Sequence, residues 1–274
     1  MKKTFLIILL ALTISTLFSK TLIIKGSNTV FPIAQLWIEE LKKENSNFTA
    51  TLEGAGSSTG IAALFNGTTD IADSSRWLKN KEIKKMQDED KYFIPIVVGY
   101  DGIAIITNPK LNINNLSKGT LKKIYTGKII MWNQVNPNLP KKRIVIYSRN
   151  TASGTYETFE KKVLDSERLA PWVKMVESTQ FEIDSVATNP YAIAYVGVGY
   201  VTDKVKVVTV ENIIPSKINI LTSKYPISRP LYVFIDASKG YPETGIIKEY
   251  ITFGLSKKGQ ELVEKAGYVA AYGF

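Results

Sequence analysis

Arg149-Asn150-Thr151-Ala152-Ser153-Gly154-Thr155 follows an apolar, β-like run, Ile144 to Tyr147, and leads into an amphipathic helical pattern, Thr155 to Leu164. Ser27-Asn28-Thr29 and Gly54-Ala55-Gly56-Ser57-Ser58-Thr59-Gly60 have the same setting between a strand pattern and a helix start. Strands that repeatedly feed helices through Ser/Thr/Gly loops indicate an α/β fold, because each connection returns the chain to the same edge of a sheet. A helix start also carries unpaired backbone N–H groups and the positive end of the macrodipole. Three such starts brought together would clasp a small oxyanion. A single Ser-rich cap is ordinary helix punctuation; three of them with an arginine point to an anion site.

Outward from these loops the alternation continues. Thr21 to Ile24 reads as a strand, Phe31 to Lys43 as a helix with Pro32 in its first turn, and Phe48 to Leu52 as a strand. Thr59 to Phe65 and Lys79 to Asp88 read as helices around a strand at Asp70-Ile71-Ala72, which predicts an open parallel sheet. Tyr92 to Gly99 and Ile103 to Thr107 are β-like runs separated by Gly99-Tyr100-Asp101-Gly102, a turn-like break where the chain is expected to cross to a second lobe. The second series is helix Ser117 to Tyr125, strand Ile144 to Tyr147, helix Thr155 to Leu164, helix Glu182 to Asn189 and strand Ala192 to Tyr195. Tyr225 to Pro230 marks a return crossing, followed by strand Leu231 to Ile235 and helices Gly245 to Phe253 and Lys257 to Ala266. The expected division is 20–100 with 229–274 as one lobe and 101–228 as the other.

Residues 1–19 read as an export signal: Lys2 and Lys3 precede an apolar run from Phe5 to Phe18 that is too short to span a bilayer. Cleavage is therefore favoured over anchoring. The formal charge is +10, and removal of the segment holding Lys2 and Lys3 leaves +8. Lys81-Lys84-Lys85 and Lys141-Lys142-Arg143 are scattered among acids, so no nucleic-acid partner is expected, while the positive field favours capture of a small anion. Cysteine is absent, which removes disulfides, thiolate metal sites and a lipid-bearing cysteine. The expected location is free in a periplasm.

At Gly26 to Pro32, Gly54 to Gly60, Asp70 to Arg76, Arg149 to Thr155, Ala192 to Tyr195 and Arg229 to Tyr232 the chain resembles the periplasmic phosphate-binding proteins of ABC-type phosphate importers, in their shorter branch. The match runs over essentially the whole chain after residue 19, and the Arg-x-x-x-Ser-Gly-Thr run is its most specific part. The resemblance implies a two-lobe periplasmic-binding-protein fold of type II, with open sheets flanked by helices and two hinge crossings. It implies a monomer that passes phosphate to a membrane permease complex without a cofactor or metal. By position it implies that Thr29, the Val30 backbone, Ser57, Ser75, Arg149, Ser153, Gly154 and Thr155 surround the phosphate. Arg149 would supply a planar, permanently charged fork, and Gly154 would let the backbone come close.

Two positions depart from the longer branch: Ser75 stands where that branch has a carboxylate, and Asn150-Thr151 stand where an acid often sits. A carboxylate that accepts the phosphate proton would distinguish phosphate from sulfate, so the nearest acid, Asp73, is expected to take this role, with Asp70 second and Arg76 as a compensating charge. Another oxyanion, such as sulfate or molybdate, stays open, as does an adhesive or signalling use of the fold. A secreted phosphatase is disfavoured because histidine is absent and Ser57 and Ser153 lack an evident base.

Overall fold

The computed structural model describes residues 20–273; the expected export signal lies outside them. Strand β1 (Leu22–Gly26) buries alternate residues, and β2 (Ala50–Gly54) and β3 (Ile71–Ser74) pair in parallel on either side of it. The connections are helices, as parallel strands require. Helix α1 (Phe31–Glu44) carries Pro32 in its first turn and buries Ile33, Trp37, Ile38 and Leu41 as one apolar stripe. Helix α2 (Ser57–Phe65) follows β2, and α3 (Asn80–Asp88) leads to β4 (Phe93–Thr107).

The second half contains β5 (Asn115–Leu116), α4 (Lys118–Tyr125), α5 (Trp132–Val135), β6 (Val145–Arg149), α6 (Gly154–Phe159), β7 (Lys174–Val176), α7 (Thr179–Thr188), β8 (Ala192–Gly197), β9 (Lys206–Val210) and α8 (Lys217–Leu221). The turn after α6, Glu160–Leu164, widens to a π-helix. Strand β10 (Ser228–Asp236), helices α9 (Ile246–Leu255) and α10 (Lys257–Lys265), and β11 (Val269–Ala270) complete the chain. Strands β5, β7 and β11 and helices α5 and α8 were not foreseen, being short segments whose pattern is weak on its own, and β9 was missed although its Lys-Val-Val-Thr-Val run is rich in β-branched residues.

Gly99 to Gly102 forms no turn, contrary to expectation. Strand β4 runs unbroken for 15 residues. Its first part pairs antiparallel with β10, and Ile103 to Thr107 pair antiparallel with β8. The glycines serve packing instead: a Cβ on Gly99 would come within 2.9 Å of Val263 Cγ1, and one on Gly102 within 2.9 Å of Ile220 Cγ1. The strand order is β2-β1-β3-β10-β4-β8-β6-β7. It is parallel at both ends, as expected, and antiparallel where β4 leaves the first lobe and β10 returns to it.

The apolar core divides in the same way. One cluster joins Leu22 to Val98 with Leu231 to Tyr268, and another draws on Ile103 to Ile227. The C-terminal helices close the first: Trp37 Nε1 donates to the Gly259 carbonyl at 2.8 Å, and its ring meets Tyr250 edge-on at 5.4 Å. The two crossing strands leave the loops after β1, β2, β3 and β6, at the carboxyl ends of their strands, facing one another. Ligands of open α/β sheets bind at such crevices.

Candidate functional site

The three sequence-marked loops meet. Ser153 caps α6 by accepting from the Thr155 and Tyr156 amides at 3.2 and 3.3 Å. Ser27 organises the turn just before α1, accepting from the Thr29 and Val30 amides at 3.1 and 3.4 Å. The Val30 amide therefore already has an acceptor within its own loop. Ser57 Oγ accepts from the Ser75 amide at 3.1 Å and lies 3.4 Å from Ser75 Oγ. Opposite them sits Gly154: a Cβ there would overlap Ser57 Oγ and come within 2.7 Å of Ser75 Oγ. Across the cleft Thr29 Oγ1 lies 3.0 Å from Thr155 Oγ1. Ser57, Ser75, Thr29, Ser153 and Thr155 are all buried.

Two residues without an assigned role complete this group. Arg229, at the start of β10, donates through Nη2 to Thr29 Oγ1 at 3.3 Å and Thr155 Oγ1 at 3.0 Å. Its Nε and Nη2 also reach Asp101 Oδ2 on β4, at 2.9 and 2.7 Å. Asp101 Oδ1 accepts from the Val198 amide at 3.0 Å. Burial raises the Asp101 carboxyl above its ordinary range, opposed by the Arg229 charge and the Val198 and Gly102 amides. Arg229 Nη1 is buried with no partner. Both crossing strands thus place a charge at the junction of the lobes. The Arg229-Pro230-Leu231-Tyr232 run was visible in the sequence, but nothing local linked it to an acid 128 positions away.

Arg149, at the end of β6, is also buried beside the cleft. It donates to Thr179 Oγ1 at 2.7 Å, the Glu177 carbonyl at 2.5 Å and, across the lobes, Asn28 Oδ1 at 2.9 Å. Burial pulls the guanidinium below its ordinary value, countered chiefly by the Glu182 charge; an arginine starts so high that it stays charged.

Arg76 and Asp73 do not join the hydroxyl group. Arg76 meets Glu82 through two hydrogen bonds of 2.8 Å and pairs with Glu157 at 3.0 Å. Lys79 reaches the same Glu157 at 2.7 Å, and Ser58 Oγ donates to it at 3.0 Å. This is a bridge between the lobes, since Glu157 lies on α6 and the others on the first lobe. Asp73 is turned the other way. Strand alternation puts its side chain on the face of Ile71, in the core with Tyr250, where neither oxygen has a hydrogen-bond partner. Burial raises its carboxyl well above the ordinary range. Asp70 sits at the opposite end of the strands, paired with Lys20 at 2.5 Å and accepting from the Ile23 amide at 2.9 Å. The period-two count from Ile71 could have excluded Asp73 at the outset. Among the described residues no group of three or more His, Cys, Asp or Glu could hold a metal ion.

Beside the bridge, a cavity of about 250 Å³ is lined by Arg76, Trp77, Glu157, Lys161, Lys162 and Arg229, among others. It joins the outer surface to the arginine that holds Thr29 and Thr155, and its charge is mainly positive.

Comparison with known proteins places the chain in a family. Residues 14–258 match the model of a PBP superfamily domain. The phosphate-binding protein PstS of Staphylococcus haemolyticus is 32% identical over 256 residues, covering 90% of this chain and 80% of that protein. A phosphate ABC transporter substrate-binding protein from Clostridium perfringens, solved with bound phosphate, superposes with a TM-score of 0.84 at 29% identity, over 92% of this chain and 100% of that one. An ABC-type phosphate transport receptor from Vibrio cholerae gives 0.72 at 27% identity, over 90% and 99%. The chain belongs to the PBP superfamily, among the PstS-type phosphate-binding proteins that serve ABC transporters.

Proposed function

We propose that the cleft binds inorganic phosphate and that the protein delivers it, outside the cytoplasmic membrane, to an ABC importer. The observation that carries this reading is the convergence of Thr29, Ser57, Ser75, Gly154, Thr155 and Arg229 from both lobes and a crossing strand. A tetrahedral anion there would meet hydroxyls on several sides and the charge of Arg229, with Arg149 behind Asn28. Such preorganised, water-excluding donors suit a dehydrated oxyanion. The role is binding and release without a chemical step, as the family membership shows.

Hydroxyls accept as well as donate. The side chains that would meet the phosphate proton are therefore Ser57, Ser75, Thr29 and Thr155, because Asp101 is occupied by Arg229 and Asp73 points into the core. A sulfate site needs donors alone, so this mixed set favours phosphate. The lobes divide at 100/101 and 228/229, and the protein acts as a monomer after removal of residues 1–19. The positive cavity lined by Lys161, Lys162 and Arg229 guides the anion inward. Calorimetric titration of protein stripped of ligand by unfolding and refolding, with phosphate and sulfate in parallel, tests this. Tight binding of phosphate and weak binding of sulfate is expected; sulfate preference or no binding of either refutes it.

A further inference from the structure

Glu182 stands one turn into α7, and the first residue of that helix, Thr179, accepts from Arg149 Nη1 at 2.7 Å. It is fully buried, and neither carboxylate oxygen has a hydrogen-bond partner. Arg149 Nε, likewise buried, has none either. Burying a carboxylate without hydrogen bonds costs several kcal/mol unless an opposite charge offsets it. The cation whose field acts on Glu182 is Arg149, and the other groups around it are the phenols of Tyr195 on β8 and Tyr125 on α4. Those phenols are pushed well above their ordinary range, first by burial, and stay neutral. Arg149 and Glu182 are therefore buried neighbours without a direct bond, set behind the cleft.

We propose that Glu182 is the resident counter-charge of Arg149 and that it takes up a proton when the anion arrives. This rests on the phosphate reading above. Before binding, Arg149 and Glu182 balance each other. A phosphate dianion entering the cleft claims the Arg149 field and repels the carboxylate, so Glu182 becomes a neutral acid. The balance is one dianion and one solvent proton taken up, with no bond broken in the ligand. Burial favours the neutral acid at Glu182 and the Arg149 charge opposes it, so the ligand acts on the opposing side of that balance. Glu182 acts through Arg149 and is a positioning residue, keeping a buried arginine balanced while the site waits for its ligand.

Two readouts test it, both between about pH 8 and 9, where free phosphate is already dianionic. Titrating phosphate in buffers of different ionisation enthalpy counts protons, and wild type should take up close to one per phosphate. Its affinity should then fall about tenfold per pH unit. Glu182→Gln keeps the shape and should bind phosphate with uptake near zero and a flat pH profile, whereas Glu182→Asp should retain the uptake. Phosphate bound by wild type without proton uptake overturns the inference alone. So does uptake that persists in Glu182→Gln, since the proton then belongs to the ligand. No phosphate binding by wild type overturns the phosphate reading and this inference together.

Discussion

Gly154→Ala separates the folded stability of the lobes from their closure over a ligand. Gly154 opens α6 outside the left-handed region, so alanine strains no backbone there. Within the second lobe the change should be neutral or favourable, because alanine exceeds glycine in helices by ~1 kcal/mol. Across the cleft the outcome reverses. The new methyl would overlap Ser57 Oγ and lie 2.7 Å from Ser75 Oγ, where ordinary contact begins at 3.4 Å. Ser57 Oγ accepts from the Ser75 amide at 3.1 Å and lies 3.4 Å from Ser75 Oγ, so turning the Ser57 hydroxyl away gives up a hydrogen bond. Relief needs the lobes to part by roughly 1 Å at this point, and overpacking of that kind costs ~1 to 3 kcal/mol. Phosphate affinity should therefore fall ~5- to 150-fold, while the melting temperature without ligand stays level or rises. Calorimetry and thermal unfolding of the same preparation decide the matter. Unchanged affinity would mean that the lobes do not approach this closely over the ligand, and parallel losses of affinity and stability would mean that the lobe itself is damaged.

Arg229→Ala should be the most damaging cleft variant, because it leaves Asp101 buried without its partner, a loss of ~3 to 5 kcal/mol in denaturant unfolding; Arg229→Lys should restore part of this and less of the phosphate affinity. Glu157→Gln removes the negative charge shared by Arg76, Lys79 and Ser58 while Arg76 keeps Glu82, so phosphate affinity should drop about tenfold, or ~1.4 kcal/mol, with little change in unfolding. Asp73→Asn should leave the preference for phosphate over sulfate unchanged. Because burial raises the Asp73 carboxyl, its contribution is fully present below the unfolded pKa and is lost as pH rises toward the folded one. The variant should therefore gain stability relative to wild type as pH climbs from about 4 toward neutrality, and equal pH profiles of unfolding would show that Asp73 is not held neutral.

The loops and their order could be read from the chain because each combines a local cap with a strand-to-helix change of period. The loops that hold Ser153, Ser57, Thr29 and Thr155 were found this way, while the individual residues followed from the family resemblance. What escaped was set by partners distant in sequence. Gly99 and Gly102 read as a turn, yet they make room for Val263 and Ile220, which local pattern cannot reveal. Arg229 meets an acid on the other crossing strand, and its role appears only when β4 and β10 lie side by side. Helix α7 was expected to begin at Glu182, although Ser178 caps it by accepting from the Phe181 amide at 3.1 Å. Reading that cap would have placed Thr179 and Glu182 in one first turn and drawn attention to both.

The central claim is that phosphate is enclosed by two lobes that close on it, since Ser57 and Ser75 lie on one lobe, Thr155 and Arg149 on the other, and no single lobe carries the whole set. Small-angle scattering of refolded, ligand-free protein, before and after saturation with phosphate, addresses this directly. The account predicts a smaller radius of gyration with phosphate, reached in step with calorimetric saturation. An unchanged radius in protein that is shown to bind phosphate would contradict it.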